Sequence, residues 1–154
     1  MMLASATPNL PAAAILPRPL GDVNSAMRDL DIDSDKVREL LDDGRLIGFN
    51  ISARPTDRPS FRILTRSVEH YKLNGWKKPL VLEWPEIFRL ILTHDKLFVT
   101  GWELQRSLNC APQQMVNLVK AGCFVSVKKM HAGRGGSPIV TRGSFENFLI
   151  GRLQ

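Results

Sequence analysis

The clearest helical pattern in the chain is the apolar stripe Met115, Leu118 and Val119, spaced i, i+3 and i+4 on one helix face. It begins after Pro112, whose fixed φ suits a first helical position, and stops at Gly122, which can take up the left-handed conformation that ends helices. Upstream, Thr100-Gly-Trp-Glu103 has the spacing of a capping box and predicts a helix from there to about Leu108, with Asn109-Cys110-Ala111-Pro112 as a tight turn. Past Gly122 the pattern changes to β-formers at Phe124, Val125 and Val127. A basic loop with three glycines follows, and Ile139-Val140 resumes a strand-like reading, so a hairpin is expected. A closing helix from about Ser144 carries Phe145, Phe148 and Leu149 on one face.

The same succession occurs earlier. At a shift of 78 residues, Leu30, Val37, Leu40, Leu41, Gly44 and Leu46 fall on Leu108, Met115, Leu118, Val119, Gly122 and Phe124. At 76, Ile63-Leu64-Thr65-Arg66 falls on Ile139-Val140-Thr141-Arg142, and at 77, Ser67 to Tyr71 falls on Ser144 to Phe148. Two copies of one unit are expected, at 20–72 and 99–154. The intervening 73–98 is a linker in which Ile87, Phe88, Leu90, Ile91 and Leu92 leave little polar face, so its helix must be covered between the units or in a dimer seam. Residues 1–19, rich in Ala and Pro, read as a flexible leader.

Of the 154 residues, 44% are hydrophobic and 23% charged, in the range of globular proteins. No apolar run is long enough for a membrane span, and the prolines and missing early bases of the leader do not suit a secretory signal, so a cytoplasmic location is expected. Lys and Arg number 21 against 15 Asp and Glu, a net charge of +6. Residues 99–154 hold seven bases and two acids, so most of the excess lies in the second copy and favours a polyanionic partner.

Helix, turn, helix, hairpin and helix make a winged helix-turn-helix unit, and the residues resemble the excisionase and MerR-type DNA-binding domains. That pattern has a Thr-x-x-Glu helix start, a helix ending in Gly-Lys/Arg-Leu, a basic wing, and a last helix opened by Thr/Ser-Arg. Here it reads TGWELQRSLNCAPQQMVNLVKAGCF and IVTRGSFENFL in the second copy, and MRDLDIDSDKVRELLDDGRL and RILTRSVEHY in the first. The first copy departs from it, with Ser25 at the place of the capping-box Glu, and Gln105 stands where the family usually has Ala. The expected fold is mainly α with small β-hairpins, as two tandem winged helix-turn-helix units joined by an apolar helical linker.

The resemblance implies that the second helix of a unit enters the major groove of duplex DNA. In the second copy that helix offers Gln113, Gln114 and Asn117 toward base edges and Lys120 toward phosphate. The wing adds Lys128, Lys129, His131 and Arg134, with Arg142 at its base. The equivalent first-copy helix carries Asp33, Asp35, Glu39, Asp42 and Asp43 against Lys36 and Arg38, which phosphates would repel, although its wing holds Arg54, Arg58 and Arg62. The expected function is that of a small transcriptional regulator or excisionase-like architectural factor, reading DNA mainly with the second unit. A homodimer or protein partner through the first unit or the linker helix is the accompanying expectation.

The alternative is an adaptor within a nucleoprotein complex, comparable to a phage terminase small subunit or a recombination accessory factor. No catalytic constellation or cofactor motif is defensible, so an enzyme is not expected. Cys110 and Cys123, without a CxxC, and the scattered His70, His94 and His131 give no metal-binding pattern.

Overall fold

The computed structural model describes residues 18–127 and 138–154. The leader up to Pro17 and the expected contacts Lys128, Lys129, His131 and Arg134 in the second wing lie outside the described residues. The chain is mainly helical with small antiparallel sheets. In order it forms β1 (Leu20–Gly21), α1 (Val23–Leu30), α2 (Ser34–Asp42), β2 (Gly48–Asn50), β3 (Phe61–Leu64), α3 (Thr65–Asn74), α4 (Trp84–Ile91), β4 (Phe98–Thr100), α5 (Gly101–Leu108), α6 (Pro112–Lys120), β5 (Ile139–Thr141) and α7 (Arg142–Arg152). No helix among the described residues is long and apolar enough to cross a membrane.

The 78-residue register recurs in the backbone. Asp22 caps α1 by accepting from the Ser25 N–H at 2.8 Å. Thr100 caps α5 in the full box, its hydroxyl accepting from the Glu103 N–H while the Glu103 carboxylate accepts from the Thr100 N–H. Both helices end at a left-handed residue, Asp31 at φ 55° and Asn109 at φ 51°, types whose short polar side chains tolerate that conformation. After α2 and α6 the chain turns through Gly44 at φ 76° and Gly122 at φ 80°, where a side chain would be strained. The strand that enters each half is tied to its closing helix in the same way, Thr65 N–H donating to Pro19 O and Arg142 N–H to Leu97 O.

One alignment is corrected. The match of Ile63-Leu64 to Ile139-Val140 at a shift of 76 does not hold, because the ladder runs at 77. Gly48 lies opposite Ile63, and at the same place Ser126 lies opposite Val140. Leu64 donates to Ile47 O as Thr141 donates to Val125 O. Side chains alternate across a strand, so a slip of one residue would turn Val140, now wholly buried, to the other face. Burial of that valine selects the register.

In the first sheet β3 lies between β1 and β2, all antiparallel. Its inner face gives Leu46 and Ile63 to a core with Ala26, Val37, Leu40, Leu41 and Val68. Its outer face gives Leu20, Phe49, Ile51 and Leu64 to a second core, which also contains the α4 residues Ile87 and Ile91 and the interior of the second half, including Leu104, Leu118 and Phe145. Trp84 stands over Phe49 with ring centroids 6.3 Å apart and stacks on Phe88. The linker helix is therefore covered, but on one side only: Leu90 is 38% exposed beside exposed Glu86 and Arg89, so the face read as apolar nearly all round has a solvent side. The chain end runs along β2, Gln154 N–H donating to Gly48 O.

Candidate nucleic-acid interface

Helix α6 is fixed by burying Met115 and Leu118, which turns the opposite side of the helix to solvent. That side presents Gln113, Asn117 and Lys120, all exposed, at spacings of four and three residues. The Gln113 amide donates to Asn117 Oδ1 at 3.0 Å, so the two amides present a joined row of donors and acceptors. No carboxylate lies on this helix, and Ala111 supplies no side-chain cap to its first turn.

Gln114 is placed differently. Half-buried, it donates to Ser60 Oγ at 3.1 Å, and its carbonyl oxygen accepts from Arg62 at 3.5 Å. The sequence pattern places it beside Gln113 on the base-facing surface. One residue along a helix is a turn of about 100°, and that turn carries Gln114 onto the loop of the first half.

Arg62 also departs from its expected role. Its Nε donates to the carbonyls of Asn109 at 2.9 Å and Leu108 at 3.1 Å, and its Nη1 to Phe61 O and Ser60 Oγ. Burial pulls its pKa below the ordinary arginine value, and the ring of carbonyls compensates the charge. This guanidinium joins β3 to the end of α5 rather than facing phosphate. Arg142 likewise turns inward, pairing with Glu146 Oε2 at 3.0 Å and donating to the His94 carbonyl.

Arg54 and Arg58 remain exposed in the loop between β2 and β3. The loop is shaped locally by an Arg54–Asp57 turn, in which Asp57 Oδ2 accepts from the Arg54 N–H and Arg54 O from the Asp57 N–H. It lies along α6: Ser60 holds Gln114 near the start of the helix, and Ala53 O accepts from the Cys123 thiol just past its end. The loop between β2 and β3 thus flanks α6. Gln113, Asn117 and Lys120 are exposed on α6 and Arg54 and Arg58 on the loop beside it, whereas Arg62, Gln114 and Arg142 are spent on contacts within the fold.

The sequence pattern gives no sign of the part played by Arg152. It donates to Asn50 O and Ser52 O, approaches Cys123 Sγ at 3.6 Å and lies 4.6 Å over the Phe148 ring. Nothing in its local surroundings along the chain marks it. The His94–Glu103 pair, with Nε2 2.7 Å from Oε2, is equally unmarked. His94 Nδ1 accepts the Lys96 N–H, which leaves the ring proton on Nε2.

Burial raises the pKa of both thiols, Cys110 and Cys123, which keeps them protonated near neutrality. No group of three or more His, Cys, Asp or Glu side chains arranged to hold a metal occurs among the described residues. Across α2, by contrast, Asp35, Glu39, Asp42 and Asp43 are exposed, and Lys36 pairs with Glu39 at 3.3 Å. No family model, curated protein or solved structure matches this chain.

Proposed function

We propose that this protein binds duplex DNA as a small regulator or architectural factor, with α6 as the helix laid in the major groove. The observation that carries the proposal is the exposed, carboxylate-free row Gln113, Asn117 and Lys120, flanked by Arg54 and Arg58 of the neighbouring loop. Amide side chains can pair bidentately with adenine, and the arginines and lysine neutralise phosphates. The helix, tight turn and helix of α5 and α6, followed by strands, support a winged helix-turn-helix reading of each half. On this basis the functional wing beside α6 includes the loop of the first half, an arrangement in which the two halves form one DNA-facing surface.

The test is fluorescence anisotropy of labelled duplexes across a salt series. Binding should weaken with salt, with a slope of log affinity of about −0.9 per phosphate neutralised. Arg54→Ala with Arg58→Ala should flatten that slope. Absence of binding at low salt defeats the proposal and favours the adaptor alternative, whose own support is the exposed acidic surface of α2.

A further inference from the structure

Past α3 the chain makes a single turn of 3₁₀ helix, Gly75–Lys77, and folds back on the helix it has left. The turn is fixed: the Gly75 N–H donates to Tyr71 O, His70 Nε2 donates to Lys78 O at 2.7 Å, and the Asn74 amide donates to His70 O at 3.1 Å. It is anchored at both ends, Tyr71 packing on the first core and Leu82 on the second. Between these anchors Leu73 is 82%, Trp76 63% and Val81 81% exposed. Lys72, Lys77 and Lys78 are exposed on the same knob, and none of them is in an ion pair among the described residues. Residues 70–82 contain no carboxylate, the nearest along the chain being Glu69 and Glu83.

Neither core accounts for this composition. Apolar side chains that packed on one another would shade one another; at these exposures the three stand out singly, as projections rather than the walls of a groove. A folded protein would need a matching pocket for each. A bilayer interface accepts projecting side chains of any outline, and it is where tryptophan settles, with its ring among the headgroups and its N–H wet. Lysine suits the same depth, its stem lying along apolar neighbours while its ammonium meets lipid phosphate. Duplex DNA would use the lysines but offers Leu73 and Val81 nothing to bury in. The like charge of the knob opposes its pairing with a second copy.

We propose that the knob at 72–81 binds the surface of an anionic phospholipid bilayer, with Leu73, Trp76 and Val81 entering the headgroup region and Lys72, Lys77 and Lys78 held by the lipid charge. The contact is peripheral and needs no spanning helix. Both chemistries are required. Each lysine near an anionic surface raises partition by about fivefold in a salt-sensitive way, and the apolar side chains add an attraction that salt does not screen. Lipid binding here is independent of DNA binding on α6, since the two use different residues.

The experiment is co-flotation of the full chain with phosphatidylcholine vesicles containing about 30% phosphatidylserine, and with vesicles of phosphatidylcholine alone. Binding to the anionic vesicles and little to the neutral ones is expected, falling as salt rises. Lys77→Ala with Lys78→Ala should weaken partition about 25-fold, and Trp76→Ala about tenfold. Trp102→Ala, at an exposed tryptophan on α5, and Arg54→Ala with Arg58→Ala should leave partition unchanged. In a Trp102→Phe background, bromine-labelled lipid should quench the emission that Trp76→Phe removes. Circular dichroism melts identify the variants that fold. Absence of flotation with anionic vesicles, or equal losses in the Trp102 or Arg54 and Arg58 variants, overturns the proposal. Weaker binding of duplex or single-stranded DNA by the Lys77 and Lys78 variant, with flotation unchanged, assigns the knob to nucleic acid and overturns it as well.

Discussion

Ser67 and Ser144 do the same work in the two halves of the chain. The Ser67 hydroxyl accepts the Ile47 N–H at 3.0 Å and donates to Leu64 O at 2.7 Å. The Ser144 hydroxyl accepts the Val125 N–H at 3.0 Å and donates to Thr141 O at 3.0 Å. Each serine binds the first turn of a closing helix to the residue where the chain leaves the preceding helix pair for the sheet. The two differ in surroundings, Ser67 being wholly buried and Ser144 half-exposed.

That difference sets the first expected outcome. Ser67→Ala leaves the Ile47 N–H without its acceptor in a dry site and should cost about 1–3 kcal/mol, the desolvation penalty of an unsatisfied buried donor. Ser144→Ala should cost less, because water can reach the Val125 N–H. Urea denaturation of the two variants checks the order; a larger loss at Ser144 contradicts it.

Much of this fold was legible because its signals are local. The Thr100–Glu103 box, the stop at Gly122 and the stripe Met115, Leu118 are set by bonds and periods within a few residues, and they stand where the pattern placed them. The one-residue slip at Ile139 was not legible, since residue types match better at the shift that fails, which sets Ile63-Leu64 on Ile139-Val140, and only burial of Val140 decides. The inward turn of Arg62 was hidden for a related reason. An arginine in a wing strand has the same sequence signature whether it meets phosphate or the carbonyls of Leu108 and Asn109, which lie 46 and 47 residues away.

The carboxylates at the two helix starts make stability depend on pH. The Ser25 N–H, opposed by partial burial, holds the Asp22 pKa below its ordinary value. At Glu103 burial is the largest effect and raises the pKa, but the Thr100 N–H and then His94 outweigh it, so this carboxyl too is lowered. A depressed folded-state pKa gives stability that is present above the unfolded value and lost as pH falls through the folded one. The loss should therefore begin below about pH 4 to 4.5, in the ordinary carboxylate range. Asp22→Asn with Glu103→Gln should flatten the acid limb of a urea-midpoint profile; an unchanged limb shows that these caps do not contribute.

The central leucines of α2 and α6 test the packing. Leu40 and Leu118 are buried in separate cores, and each truncation to Ala should cost about 2–5 kcal/mol from lost burial and the cavity left behind. A thermal melt unmoved by either substitution places that side chain outside the core.

Arg62 separates a structural from an electrostatic role. Arg62→Ala removes charge-assisted hydrogen bonds worth about 1.5–3 kcal/mol and should lower stability, with the junction of β3 and α5 affected first. Arg58→Ala, on an exposed loop, should leave the melt within about 0.5 kcal/mol of the parent. Hydrogen exchange at Asn109 and Cys110, faster in Arg62→Ala only, distinguishes the two. Equal exchange in both variants refutes the assignment.

The proposed DNA surface makes its own demand on the three amides of α6. Gln113 and Asn117 are exposed and joined to each other, whereas Gln114 is held by Ser60 and Arg62. If bases are read from α6, Asn117→Ala should blur the preferred site by about 1–3 kcal/mol of discrimination and leave affinity for random duplex nearly intact. Lys120→Ala should weaken all sequences alike and reduce the salt slope by about 0.9. Gln114→Ala should act through the fold, lowering stability slightly and affecting preferred and random duplexes equally. Glu39→Ala on the acidic α2 supplies the opposite sign, since removing an exposed carboxylate should leave DNA affinity unchanged or raise it. Selection from a random-sequence pool, repeated with each variant, measures preference and affinity together. Loss of preference in Gln114→Ala with none in Asn117→Ala contradicts this assignment of the reading surface.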